Sequence, residues 1–156
     1  MNVVTLERPV RPPHDPRGTS LEFTPAQAHE LLRTKFAPWV QDLDLIVESC
    51  SVAGARLRLP FSARLTRVGD TICGQALMAC ADSGMAIAIF GAFGEFRNVT
   101  TVGQTISFMR PIAAKDVIIE ATVQKRGRSI VFCEVSMIAA GATDIAAHAT
   151  ATWALI

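Results

Sequence analysis

Residues 73–93 read CGQALMACADSGMAIAIFGAF. This run is apolar almost throughout and long enough to cross a bilayer, so deciding where it sits decides the fold. Gln75, Asp82 and Ser83 interrupt it. An aspartate near the centre of a span costs roughly 2.5–3.5 kcal/mol even on a lenient insertion scale. Strand-like segments on both sides also need a core of their own. The expectation is one long helix, apolar all round and buried inside a soluble domain, with no membrane contact.

Working outward, the chain before the helix carries a second helix and two strands. Thr24 suits an N-cap, Pro25 the first helical position, and Gln27 completes a capping box. Ala28, Leu31, Leu32 and Phe36 follow at helical spacing, and Pro38 marks the end. Residues 42–49 read as a first strand. In residues 53–61, Ala55, Leu57, Leu59 and Phe61 alternate with Arg56 and Arg58, the pattern of a sheet with one wet face. After the long helix, residues 101–110, 117–125, 129–139 and 145–155 all alternate, with Gly127 and Gly141 placed for hairpin turns. A sheet wrapped around one very apolar helix hides that helix economically, so the fold class is α+β, in one domain over residues 21–156. Residues 1–20, rich in proline and charge, are expected to be a flexible tail.

Composition narrows the function classes. The net charge is +1, the basic residues are scattered and tyrosine is absent, so nucleic acid is not an expected partner. Cys50, Cys73, Cys80 and Cys133 match neither a disulfide framework nor a metal-ligand spacing. The first twenty residues offer no apolar signal-peptide core, which makes a reduced cytoplasmic location the default.

The segments TRVGDTICGQALMACAD, TTVGQTISFMRP, KRGRSIVFCEVSMIAAG and AHATATWAL, in this order and spacing, resemble the PaaI-like acyl-CoA thioesterases of the hotdog superfamily, over roughly residues 25–155. The resemblance implies a curled antiparallel sheet around the long helix and a homodimer with a continuous sheet, with a dimer of dimers also open. It implies Asp82 as the carboxylate that attacks the thioester or activates water, and the Gly74 backbone N–H as the donor that polarises the thioester carbonyl. Thr101 falls where some relatives place a water-positioning hydroxyl. Arg126 and Arg128 become candidates for the phosphates of coenzyme A, which belongs to the substrate; no separate cofactor or metal is implied. Many relatives read His-Gly-Gly at the helix start, where this chain reads Cys73-Gly74-Gln75. Arg67 stands where relatives often have Asn or Gln.

The residues argue partly for themselves. Thioester hydrolysis needs an activated nucleophile and donors aimed at the developing oxyanion. A helix N-terminus supplies unpaired N–H groups, and a glycine there admits close approach. Asp82, between Cys80, Ala81, Met85 and Ala86, should be partly desolvated and therefore more basic; its bland reading is a bond to nearby backbone or to solvent. Gly74 and Asp82 are eight residues apart, about 12 Å along a helix axis. Reacting atoms must approach to about 3–3.5 Å, so the two serve one carbonyl only if they come from two subunits with antiparallel helices. Cys73 at a helix start invites a nucleophile reading, but no histidine is near in sequence, and packing is the plainer role. Gln75 either binds the substrate or satisfies the helix start. Arg67, Arg126 and Arg128 are either substrate contacts or solvated surface, and Thr101 is either functional or an ordinary β-branched strand residue. A non-hydrolytic acyl-CoA binding protein is the reading from a different class; a hotdog dehydratase or hydratase usually pairs a catalytic histidine with the acid, and no histidine lies near this motif.

Overall fold

The capping chemistry of Thr24 opens the described part of the chain, which in the computed structural model is residues 23–156. The proposed tail, residues 1–20, lies outside it. Thr24 Oγ1 accepts from the Gln27 N–H at 3.2 Å, and Gln27 Oε1 accepts from the Thr24 N–H at 2.8 Å. The first helix, α1 (Pro25–Lys35), buries Ala28 and Leu32. Pro38 does more than end it: proline fits a first helical position as well as a stop, and here it opens a second short helix, α2 (Pro38–Gln41). That extra turn carries Trp39.

Strand β1 (Ile46–Ser51) starts later than the expected residue 42, because Asp42 caps α2 and Asp44 takes a positive φ of 54°. Strand β2 (Gly54–Leu59) alternates as read, with Ala55, Leu57 and Leu59 buried. It stops at Pro60, which has no N–H to donate to a ladder, so Phe61 falls outside the strand. On the outer face Arg56 bonds Glu48 and Glu120, while Arg58 bonds Glu48 and Asp116. This charge ladder ties β1 and β2 to the strand beyond.

A 3₁₀ turn (Ala63–Leu65) and a two-residue hairpin, β3 (Thr66–Arg67) with β4 (Thr71–Ile72), lead into the long helix. Elements this short leave no periodicity to read. The long helix is α3 (Gly74–Phe93). It is buried on all sides from Ser83 to Gly91, and Gly94 ends it at φ 71°. Gly91 is required: a Cβ there would lie 2.7 Å from the Ser51 carbonyl oxygen.

Four long strands complete the fold: β5 (Val99–Phe108), β6 (Val117–Arg126), β7 (Ile130–Ala139) and β8 (Ile145–Leu155). They join β1 and β2 in one antiparallel sheet of order β1-β2-β6-β7-β8-β5. Helix α3 contacts every strand of it. Leu57, Leu59, Met85, Ile87, Ile89, Ile119 and Met137 are fully buried between the two, each worth about 1.5–3 kcal/mol relative to exposure. The architecture is the expected α+β hotdog fold, and the apolar run is its core.

The edge strand β5 contains one irregularity. Thr101 pairs with Trp153 but Gly103 pairs with Thr152, leaving Val102 as an extra residue, a β-bulge. Without a bulge, residues three apart point to opposite faces. With it, Thr101 and Gln104 stand opposite Trp153 and Ala151, two inward-facing residues of β8, so both face α3.

Candidate active site

Asp82 lies on the side of α3 left partly uncovered between α2 and β5. Its Oδ1 accepts a hydrogen bond from Thr101 Oγ1 at 2.7 Å. Burial pushes the Asp82 carboxyl above the ordinary carboxylate range, and the Thr101 bond offsets part of that rise. The carboxylate faces a cleft of about 400 Å³. Phe36, Trp39 and Val40 wall it on one side, Met78, Ala79 and Ser83 of α3 form its floor, and Gln104 of β5 closes the other side. Among the described residues, Asp82 is the only titratable side chain lining it. The arrangement is a half-desolvated carboxylate at the bottom of an apolar-walled opening.

A second cleft of about 360 Å³ adjoins the first and shares Trp39 and Gln75 with it. Cys73, Ala76 and Leu65 line it, together with Asp42 and Arg64. Gln75 therefore stands between the two spaces, on the first turn of α3. Cys73 occupies the N-cap position without a side-chain cap bond, so it leaves the N–H groups of that turn to other partners. Neither histidine among the described residues is placed to serve its thiol as a base. His29 Nε2 accepts from the Val47 N–H at 3.0 Å, and His148 sits on the outer sheet face 3.7 Å from Glu134.

Gly74 begins α3, and the ring of Phe108, at the far end of β5, lies 3.2 Å from where a Cβ would be. Gly74 and Asp82 belong to one continuous helix, so the separation of about 12 Å stands and the two cannot meet at one carbonyl within a chain. Arg67 is exposed on the β3–β4 hairpin and lines neither cleft. Arg126 is at the opposite end of α3: its Nη1 donates to the Ala92 carbonyl at 2.6 Å and its guanidinium lies 4.8 Å from the Phe93 ring centre. Arg128 follows in the exposed β6–β7 turn.

Among the sequence candidates, then, the fold brings Asp82 and Gln75 to one cleft, with Thr101 bonded to the Asp82 carboxylate, and Cys73 to the neighbouring cleft. It keeps Gly74 at the helix start and sets Arg67, Arg126 and Arg128 apart. Trp39 and Gln104 were not legible as site residues. Trp39 depends on the short α2, and Gln104 would alternate to the face opposite Thr101 were it not for the bulge.

The family model that describes the thioesterase superfamily matches residues 69–146, which span β4, α3 and most of the sheet. The chain belongs to the thioesterase superfamily. A proposed esterase of Thermoplasma acidophilum is 27% identical to it over 100 residues, covering 64% of this chain and 75% of that protein. Among solved structures, a proposed thioesterase of a Silicibacter species superposes with a TM-score of 0.78 at 22% identity, covering 90% of this chain and 96% of the other. Zebrafish thioesterase superfamily member 2 gives 0.75 at 20% identity, covering 85% and 99%. These two likenesses establish the shared fold. Membership of the thioesterase superfamily supports thioester hydrolysis as the general chemistry of the chain.

Proposed function

We propose that this thioesterase-superfamily protein hydrolyses an acyl-CoA thioester, carrying an aryl or a short- to medium-chain acyl group, to the free acid and coenzyme A. The observation that carries the reading is Asp82: half-buried, raised in basicity by that burial, gripped at Oδ1 by Thr101 and open to an apolar-walled cleft. Phe36, Trp39, Val40 and Met78 offer the acyl group an apolar seat. Asp82 takes a proton from water as the water oxygen bonds to the thioester carbon, or its carboxylate attacks that carbon directly. In both routes the carbonyl pair moves onto oxygen, then returns to expel the thiolate, which is protonated to CoA. The water route gives the free acid at once, whereas direct attack leaves a mixed anhydride on Asp82 that a water molecule then hydrolyses to the free acid and the restored carboxylate. Preorganised donors at the developing oxyanion are worth about 2.7–4 kcal/mol each.

The donor is the Gly74 N–H of a second subunit, since helix geometry excludes the same chain's. Strand β5 is a sheet edge of ten residues with Val102 and Phe108 exposed, and Met109 exposed just beyond its end. A long edge carrying exposed apolar side chains invites pairing with another chain. Antiparallel pairing of two β5 strands about a point near Gln104 sets Thr101 opposite Phe108 of the partner subunit. Because Phe108 packs on Gly74, that register carries the partner's helix start toward Asp82. The active unit is thus a homodimer, with a dimer of dimers compatible. Arg126 and Arg128 serve the CoA phosphates, with Arg126 also holding the end of α3. The four cysteines are free, which suits a reducing, cytoplasmic setting.

The test is thiol release from a panel of aryl-, short- and long-chain acyl-CoAs, comparing wild type with Asp82→Asn. Turnover that falls by about 10²-fold or more in a folded, dimeric variant supports the proposal. Measurable CoA-ester binding with no turnover across the panel would replace it with the binding-protein reading, which the absence of the helix-start histidine favours.

A further inference from the structure

Gln104 makes an unusual pair of arrangements beside the carboxylate. Its Nε2 donates to the Met78 carbonyl at 3.3 Å, while its Oε1 is buried with no hydrogen-bond partner among the described residues. The Met78 carbonyl is the one that the Asp82 backbone N–H faces across a helical turn, four residues on. Exchanging the amide's oxygen and nitrogen would set two acceptors against each other, so the carbonyl fixes the orientation of the side chain. An unpaired buried acceptor opposes folding, and the fold retains one here. Strand β5 thus holds α3 at two points one turn apart, Thr101 on the Asp82 carboxylate and Gln104 on the Met78 carbonyl. Only the bulge at Val102 aims both inward.

We propose that Gln104 is a positioning residue for the hydrolysis, fixing through Met78 the turn of α3 that carries Asp82, so that the second carboxylate oxygen stays aimed at the thioester carbon's approach. This rests on the reading of Asp82 as the catalytic carboxylate. Among the described residues no other titratable group lines the Asp82 cleft; Asp42, Arg64 and Cys73 face the adjoining one.

The full chain with Gln104→Met, similar in length but without a donor, is compared with Gln104→Glu, which keeps the shape and adds a carboxylate. The readouts are kcat, KM and the pH profile of kcat/KM for thiol release. Positioning predicts a kcat lower by roughly tenfold to a hundredfold in both, with KM within about twofold. It further predicts that the acidic limb moves to lower pH in Gln104→Met, as Asp82 gains access to solvent, and to higher pH in Gln104→Glu, where two carboxylates compete. A residue that only stabilises the fold would leave the limb of the surviving folded enzyme in place. Wild-type kcat and limb in Gln104→Met, or a loss confined to KM or to the folded fraction, would overturn the proposal while Asp82→Asn remains inactive. Full activity in Asp82→Asn would instead overturn the reading of the site itself.

Discussion

Asp82 is a residue whose placement opposes stability and favours chemistry. Its carboxyl is raised above the ordinary range by burial, with Thr101 opposing. A raised folded-state value stabilises the protein only while the group is protonated, and that contribution disappears as pH rises through it. At neutral pH the ionised form is therefore a liability that Asp82→Asn removes. The expected outcome is a higher Tm for Asp82→Asn at pH 7, with the difference vanishing below about pH 4, where both side chains are neutral; thermal melts across pH check it. In the same enzyme the acidic limb of kcat/KM should lie above the ordinary carboxylate range. A melt in which Asp82→Asn is less stable at every pH would mean that the carboxylate is satisfied in a way the cleft does not show.

Single elements set what the site can be. Helix α3 is held against β1 at Gly91, where a Cβ would press on the backbone of Ser51. Gly91→Ala gains about 1 kcal/mol in helix propensity but overpacks the contact by about 1–3 kcal/mol. The urea midpoint should fall with an unchanged m-value, and a rise would show that α3 can shift freely. The bulge in β5 is a second such device. Deleting Val102 restores plain alternation and turns either Thr101 or Gln104 away from α3. Thiol release should drop at least about tenfold while far-UV circular dichroism stays near wild type. Retained activity would show that β5 does not hold the carboxylate through that pair.

At the scale of the whole molecule, the proposed chemistry depends on a second copy. Gly74 and Asp82 sit on one rigid helix, too far apart to share a carbonyl, and the free edge of β5 provides a place for the second subunit. Thr105 lies on the outer face close to the inferred two-fold, and like charges placed opposite each other across paired strands repel. Thr105→Lys should shift sedimentation toward a folded monomer and abolish thiol release together. A monomer with wild-type kcat would refute the shared site without touching the fold.

The sequence by itself determined the parts that depend on pattern and local chemistry. An apolar run from Cys73 to Phe93 has nowhere to go but inside, alternation in β2 and β6–β8 sorts residues to two faces, and the Thr24–Gln27 box starts a helix wherever it occurs. Asp82 was legible because a lone carboxylate in such a run is conspicuous, and the Gly74–Asp82 separation follows from helix pitch alone. Only the tertiary structure decided what depends on neighbours distant in the chain. It set Trp39 and Phe36 over the carboxylate, put Arg126 on the last turn of α3, and turned Thr101 and Gln104 to the same face. That last placement comes from one extra residue in an edge strand, which alternation cannot register because pairing with β8, not local preference, makes Val102 the residue left over.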